Sequence, residues 1–174
     1  MNVGGAVART APCMSAELLS NKAIDPRDRL IFALDVPTKS DALAWIERLG
    51  DAVTFYKLGL EFCMSGDYFE VLETLVASGK KVFADLKFHD VPATVRGAVG
   101  NLARSGATCC TLHAVGSVYA DAVKVRGAMK LLAVTVLTSM DAGDLEEIGW
   151  TKPVEDLVSL RAKKAVARTC PRGR

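Results

Sequence analysis

Residues 81–92 read K-V-F-A-D-L-K-F-H-D-V-P, an apolar run that ends in charged residues. Continuous apolar residues of this kind are typical of a strand buried on both faces, as in a parallel sheet. Asp85 and Lys87 are two residues apart, so on a strand they lie on one face, and Asp90 falls in the following turn. The segment therefore predicts a buried strand with a charged pair at its carboxyl end.

Four other apolar runs resemble this one, and helical patterns lie between them. The five runs are LIFALDV (30–36), VTFYKLG (53–59), KVFADLKF (81–88), ATCCTLHAV (107–115) and KLLAVTVLT (130–138). Helical patterns occupy residues 40–49, 68–78, 93–105 and 118–125, and three of them are followed by a stop signal, at Gly50, Gly79 and Gly106. The β-α-β-α order predicts an α/β fold with five fully buried parallel strands.

Each predicted strand ends on polar or charged residues, which are Asp35, Lys57, Asp85 with Lys87, His113, and Thr135 with Thr138. The carboxyl ends of parallel strands lie at one rim, so we expect these side chains to converge on one site. The spacing between successive charged positions is close to one βα unit, and no glycine-rich nucleotide-binding motif is present. These features favour a TIM (β/α) barrel over a doubly wound sheet.

The composition is that of an ordinary globular protein, with 174 residues, 50% hydrophobic, 24% charged and 6% aromatic. No apolar run is long enough to span a bilayer, so no membrane partner is expected. The formal net charge is +2, but six basic residues and no acid lie after residue 160, which leaves −4 for residues 1–160. A mildly acidic folded body argues against a nucleic-acid partner.

The five cysteines, Cys13, Cys63, Cys109, Cys110 and Cys170, form no Cys-x-x-Cys pair and no cluster with histidine at zinc-ligand spacing. This pattern predicts reduced thiols and no metal site. The first fourteen residues contain no apolar block of signal-peptide length. Together these features predict a cytoplasmic protein.

The motifs together resemble the N-terminal part of the orotidine 5′-phosphate decarboxylase family. The matching segments, from about residue 29 to residue 150, are IFALDV with Asp35, FYKLG with Lys57, FADLKFHDVPAT with Asp85, Lys87, Asp90 and Thr94, TLHA with His113, and AVTVLTSM with Thr138 and Ser139. They occur in the family's order and at its spacing. The resemblance implies a barrel enzyme that converts orotidine 5′-phosphate to UMP and CO2 with no cofactor.

The resemblance assigns catalysis to four residues: Lys87 as the proton donor to carbon 6 of the pyrimidine, Asp85 against the substrate carboxylate, and Asp90 and Lys57 in the surrounding charge array. The chemistry requires such groups, because loss of CO2 from an unsaturated ring carbon leaves an electron pair with no conjugated sink. A lysine between carboxylates remains cationic, so it can stabilise that charge and then deliver a proton.

The resemblance assigns substrate binding to Asp35 and Lys57 at the ribose hydroxyls and to Thr138 at the pyrimidine edge, with Ser139 as the less favoured alternative. Asp90 and Thr94 would reach across a homodimer interface into the neighbouring subunit's site, so that the two active sites are shared. His113 is interpreted as a packing residue.

The chain divides into an N-terminal extension and lead-in (1–28), a partial barrel domain (29–160) and a basic tail (161–174) that we expect to be disordered. Five βα units of about 24 residues fill residues 29–150, whereas eight would need about 195 residues. The sequence therefore predicts an incomplete, truncated barrel with about five of the eight units, and weak or no activity. Residues 154–167 have a pattern compatible with one more helix.

Two other functions remain open. One is a non-enzymatic truncated remnant that keeps the catalytic half of the motifs. The other is a Mg-dependent sugar-phosphate decarboxylase or hexulose-phosphate synthase of the same superfamily, which shares the D-x-K-x-x-D pattern. Lys57 discriminates against the second, because those relatives place an acidic metal ligand at this strand end and a lysine would repel Mg2+.

Overall fold

The structure, a computed structural model, describes residues 23–169. Five parallel strands form one sheet in the order β1-β2-β3-β4-β5. The elements are β1 (Phe32–Ala33), α1 (Lys39–Leu49), β2 (Phe55–Gly59), α2 (Leu60–Cys63), α3 (Tyr68–Ala77), β3 (Lys81–Phe88), α4 (Pro92–Arg104), β4 (Cys109–His113), α5 (Val118–Val123), β5 (Lys130–Val134), α6 (Ala142–Glu147) and α7 (Val154–Thr169). The predicted β-α alternation is confirmed, as are the four predicted helices to within two residues at either end.

The core lies between the sheet and the helices that follow each strand. It is built from apolar residues at every second strand position and from helix positions three and four apart, as the two periodicities require. The fully buried members include Tyr56, Leu58, Val71, Leu72, Leu75, Val82, Val95, Val99, Leu102 and Leu112. Burying one such side chain stabilises the fold by roughly 1.5–3 kcal/mol, so this contiguous core is what holds the strand ends in place.

The predicted helix stops are also confirmed, and Gly106 shows why the residue matters. Gly106 follows α4 with φ +85°, a left-handed conformation that L side chains rarely adopt. A Cβ built at this position would lie 2.8 Å from Cγ1 of Val76 on the neighbouring helix α3. The chain can therefore turn from α4 into β4 here only because the side chain is absent.

The prediction that all five strands are fully buried is wrong for the two outer strands, and it holds only in part for β3, in which Val82 and Ala84 are buried and Lys87 is exposed. β1 contains two residues rather than seven, and Leu30 and Ile31 before it are exposed. β5 ends at Val134, and its Lys130 and Leu132 are exposed. These residues are exposed because β1 and β5 lie at the edges of the sheet, where each strand has one neighbour instead of two.

The prediction of a disordered tail from residue 161 is also wrong as far as residue 169, because α7 continues through the expected boundary at residue 160. Leu157 and Ala165 are buried, and Arg161 lies between them on the same helix face, where its guanidinium donates a hydrogen bond to the carbonyl of Thr135 after β5. The basic residues 163 and 164 are exposed. The tail therefore begins as an amphipathic helix packed beside α5 and β5.

Several sequence expectations concern residues outside the described part of the chain. They are the extension up to residue 22, the tail from residue 170, and the thiols of Cys13 and Cys170. Two short helices, α2 and α6, were not predicted from the sequence. None of the helices within residues 23–169 has the length and apolar character needed to cross a membrane.

Candidate active site

Four charged side chains meet at the carboxyl ends of the first three strands: Asp35 after β1, Lys57 on β2, and Asp85 and Lys87 on β3. Nζ of Lys57 lies 2.9 and 3.2 Å from the two carboxylate oxygens of Asp35 and 4.0 Å from Oδ2 of Asp85. Nζ of Lys87 donates to Oδ1 of Asp85 at 2.9 Å. These four residues, called the charged cluster below, alternate anion, cation, anion, cation.

Lys87 reaches Asp85 from an irregular segment of strand. The pairing of β3 with β4 shifts register between Ala84 and Phe88, and Lys87 has φ +47°, the one positive φ of a non-glycine residue within residues 23–169. The expected ion pair is present, but simple alternation along a strand does not produce it. A local bulge aims the lysine side chain, as bulges beside active sites commonly do.

Asp85 is the centre of the charged cluster, and its side chain is only 16% exposed. Burial by itself would raise the pKa of this carboxyl group. Hydrogen bonds from Lys87 and Thr111, and then the positive charges of Lys87 and Lys57, outweigh burial and leave the pKa of Asp85 below its ordinary value. Asp85 is therefore an anion at neutral pH, held between two ammonium groups.

Two residues that contribute to the site were missed by the sequence reasoning. Thr111 on β4 donates its hydroxyl to Oδ1 of Asp85 at 2.8 Å and accepts the backbone N–H of Lys87 at 2.9 Å. Gly59 ends β2 opposite Asp85, and a Cβ there would lie 3.1 Å from Oδ1 of Asp35. Two sequence features could have indicated these residues: the hydroxyl of Thr111 within the apolar run ATCCTLHAV, and the glycine two residues after Lys57.

Three predicted site residues lie apart from the charged cluster. Asp90 is exposed, and its Oδ1 accepts the backbone N–H of Val91 at 2.6 Å. Thr94 is exposed in the first turn of α4, and Thr138 is exposed in the turn that follows β5. Within the described chain, no hydrogen bond or ion pair joins any of the three to the cluster.

The two histidines form a stacked pair beside the cluster. The rings of His89 and His113 lie 4.6 Å apart between centroids with an interplanar angle of 26°. Burial, and then the charges of His89, Arg161 and Lys87, lower the pKa of His113 below its ordinary value. The packing interpretation of His113 fits this contact, and its partner is a second histidine ring.

Two other kinds of group bear on the chemistry near the strand ends: possible metal ligands and cysteine thiols. In the range 23–169, His, Cys, Asp and Glu side chains form no group of three or more placed to hold a metal ion. The free thiols of Cys109 and Cys110 are buried, and burial raises their pKa values to about 11 and about 12, so both are protonated at neutral pH. The ammonium of Lys87 is accessible to a ligand, because the lysine side chain is 45% exposed.

Parallel strands that alternate with helices, and that gather charged side chains at their carboxyl ends, define this chain as a partial (β/α) barrel. The family model described as "Orotidine 5'-phosphate decarboxylase / HUMPS family" matches residues 28–170. The chain belongs to this family.

Individual relatives carry the same description. An orotidine 5′-phosphate decarboxylase from Methylococcus capsulatus is 51% identical over 152 residues, which cover 87% of this chain and 63% of that protein. The corresponding protein of Xanthomonas oryzae pv. oryzae is 51% identical over 142 residues, covering 80% and 58%. The crystal structure of the enzyme from Lactobacillus acidophilus aligns with a TM-score of 0.73 at 33% identity and covers 80% of this chain and 67% of that one.

The chain spans about three-fifths of the length of the curated relatives that it matches. The charged cluster lies wholly within the matched segment. Membership of the family and the partial barrel fold are therefore established.

Proposed function

We propose that this chain decarboxylates orotidine 5′-phosphate to UMP and CO2 in pyrimidine biosynthesis. The observation that carries the proposal is the Lys87 ammonium held 2.9 Å from Asp85, with Lys57 facing the other oxygen of the same carboxylate. This places a fixed cation at the mouth of the partial barrel, where a ligand can reach it.

The reaction needs such a cation. The bond between carbon 6 of the pyrimidine and the carboxyl carbon breaks, CO2 leaves, and the electron pair stays on carbon 6 in the plane of the ring. The Lys87 ammonium stabilises the developing negative charge and then transfers one proton to carbon 6, which gives UMP. Because the cation is already oriented by Asp85, little reorganisation is required when the charge appears.

The other members of the cluster would orient the substrate. We assign Asp85 to the position facing the substrate carboxylate, since it adjoins the proton donor. Asp35 is half exposed, and its pair with Lys57 lies at the open edge of the cluster, which suits hydrogen bonds to ribose hydroxyls. Gly59 supports this assignment, because the missing side chain leaves space directly beside that pair.

Thr138 is assigned to the pyrimidine edge. Its turn follows β5 at the same carboxyl-end rim as the cluster, and its side chain is exposed and available for a ligand. Ser139, the neighbouring residue of the same turn, is the less favoured alternative.

We further propose a homodimer in which Asp90 and Thr94 enter the partner's site. Asp90 makes no ion pair with Lys87 of its own chain among the described contacts, and both Asp90 and Thr94 are exposed. Large apolar side chains are also exposed on the segments that follow β2 and β3, namely Leu60, Met64 and Val91. An apolar surface beside an unused catalytic carboxylate is what a second copy would cover.

Magnesium-dependent sugar-phosphate chemistry is disfavoured by the same geometry. The family model's description includes HUMPS, so family membership alone does not decide between the two reactions. Lys57 supports the orotidine 5′-phosphate reaction, because its ammonium stands 4.0 Å from Asp85, in the place where a magnesium site would need another oxygen ligand. We place the reaction in the cytoplasm, consistent with the free thiols of Cys63, Cys109 and Cys110.

The proposal is tested by incubating the purified 174-residue chain with orotidine 5′-phosphate labelled at the carboxyl carbon and measuring released CO2. We expect weak release that is unaffected by EDTA, from a species that sedimentation shows to be a dimer. Release that EDTA abolishes and Mg2+ restores would contradict the mechanism, which uses the Lys87 ammonium and no metal ion. No release above the uncatalysed rate would count against the proposed function and favour one of the two alternatives, a non-enzymatic remnant or a sugar-phosphate enzyme.

A further inference from the structure

We propose that Thr111 is a positioning residue that holds Asp85 and Lys87 in their reactive arrangement. The proposal rests on the proposed decarboxylase function for its catalytic meaning, and on geometry for the contacts. One hydroxyl bridges the two residues: it donates to Oδ1 of Asp85 at 2.8 Å and accepts the backbone N–H of Lys87 at 2.9 Å.

The hydrogen bond from the Lys87 N–H to the Thr111 hydroxyl stabilises the irregular backbone at Lys87. A non-glycine residue at positive φ is disfavoured by a clash of its Cβ with the backbone, so neighbouring contacts must hold Lys87 there. The register shift between Ala84 and Phe88 interrupts the regular ladder between β3 and β4 at this point. The Thr111 hydroxyl supplies an acceptor for the Lys87 N–H where the interrupted ladder does not.

The bond to Asp85 fixes one particular oxygen. Oδ1 of Asp85 accepts from both the Thr111 hydroxyl and the Lys87 ammonium, while Oδ2 faces the Lys57 ammonium. The Thr111 proton points towards Asp85 because the ionised carboxylate can only accept a hydrogen bond, whereas the Lys87 N–H can only donate one. The hydroxyl therefore sets the rotation of the carboxylate, and through it the position of the lysine ammonium.

Burial makes these two bonds hard to replace with water. Thr111 is 7% exposed, and its neighbours on β4, Cys110 and Leu112, are fully buried. An apolar residue of the same shape would leave the Lys87 N–H and one lone pair of Asp85 without a partner in a nearly dry setting. The hydrogen bonds that would be lost belong to Asp85 and Lys87, the two residues that carry the proposed chemistry.

The test compares Thr111→Val, which keeps the shape and removes the hydroxyl, with Thr111→Ser, which keeps the hydroxyl. The pKa of Asp85 is measured in the full 174-residue chain by NMR titration of its isotope-labelled carboxyl carbon. Loss of a hydrogen bond to a carboxylate raises its pKa, so we expect a rise of about one unit in the valine variant. The serine variant should stay within about 0.3 units of the unsubstituted chain.

An Asp85 pKa that is the same in the valine variant and the unsubstituted chain, or that rises equally in both variants, would overturn the proposal. If the valine variant does not fold, the test is made on the unsubstituted chain. We expect the Thr111 hydroxyl proton to exchange slowly with solvent and to show a nuclear Overhauser effect to the Lys87 amide proton. Absence of that effect would refute the two hydrogen bonds of the Thr111 hydroxyl.

The titration uses no substrate, so it is independent of whether the chain decarboxylates. Where activity is present, the valine variant should lower kcat on the order of tenfold with less than about a threefold change in KM. The serine variant should restore kcat. Equal changes in kcat and KM would contradict a role in positioning the proton donor. Absence of activity in all three proteins would count against the proposed function and leave the titration to judge Thr111.

Discussion

The three inner strands and the outer strand β5 belong to the same sheet but differ in what surrounds them. β2, β3 and β4 each pair with a neighbour on both sides, and they carry Lys57, Asp85, Lys87 and Thr111, which are joined by hydrogen bonds and ion pairs. β5 has one neighbour in the sheet, and the exposed Thr138 in the turn after it has no bond to the charged cluster.

This difference between the inner strands and β5 shows which part of the sheet holds its polar side chains in fixed positions. Three members of the charged cluster lie on strands that are fixed on both sides, and the fourth, Asp35, is held by its ion pair with Lys57. A buried hydroxyl at Thr111 and a missing side chain at Gly59 complete their surroundings. Outer segments are held by fewer contacts. For β5 and the residue after it, additional support comes from helix side chains: the Tyr119 hydroxyl donates to the carbonyl of Leu131, and the Arg161 guanidinium donates to that of Thr135.

The largest expected difference between the inner strands and β5 is in the loss of stability when a leucine on each is replaced by alanine. Leu112→Ala on β4 removes a fully buried side chain, whereas Leu132→Ala on β5 removes one that is 40% exposed. We expect the first to lower the free energy of unfolding by about 2–5 kcal/mol and the second by less than about 1 kcal/mol. Urea unfolding followed by circular dichroism measures both.

Comparable losses from the two leucine substitutions would contradict the contrast between inner and outer strands. They would indicate that β5 is buried in solution, for example by a second copy. Measuring unfolding at two protein concentrations separates these explanations, because burial by association makes stability depend on concentration.

A smaller effect is expected from pH, through the histidine pair that joins β3 and β4. The pKa of His113 is lowered in the folded chain, chiefly by burial, so below its ordinary value of 6.5 the unfolded chain binds more protons than the folded one. Stability should therefore fall as pH is lowered through this range, with a slope below the limit of about 1.4 kcal/mol per pH unit for one proton. His113→Gln should flatten the decline, as measured by urea unfolding between pH 7 and pH 5.

Asp121→Asn serves as the control for this pH dependence. Asp121 lies on the surface of α5, pairs with Lys124, and has a lowered pKa that matters only under more acidic conditions. The decline in stability between pH 7 and pH 5 should remain in the Asp121 variant and flatten in the His113 variant. If it flattened equally in both, or stayed unchanged in the His113 variant, the histidine pair would not be its cause.

Much of this architecture follows from the sequence because the signals are local. The apolar run at residues 81–88 predicts its strand, and Gly106 predicts a helix stop that its φ confirms. The convergence of Asp35, Lys57 and Asp85 follows from the parallel order of the strands alone.

What the sequence did not predict depends on tertiary contacts. The left-handed Lys87 and the bridging Thr111 arise from the register between β3 and β4, which no local pattern encodes. The exposure of β1 and β5 depends on which strands have two neighbours. The basic composition after residue 160 concealed a helix, because its apolar face of Leu157 and Ala165 begins before the basic residues do.

The central claim is that the charged cluster performs the reaction, and it is tested most directly by comparing two lysine substitutions. Lys87→Ala removes the proposed proton donor, whereas Lys124→Ala removes a lysine that also pairs with an aspartate but on the surface of α5. The measurement is CO2 release from carboxyl-labelled orotidine 5′-phosphate. For Lys87→Ala we expect release to fall to the uncatalysed rate, with UMP affinity changed less than about tenfold. For Lys124→Ala we expect release within about twofold of the unsubstituted chain. Release by Lys87→Ala that matches Lys124→Ala would contradict the account.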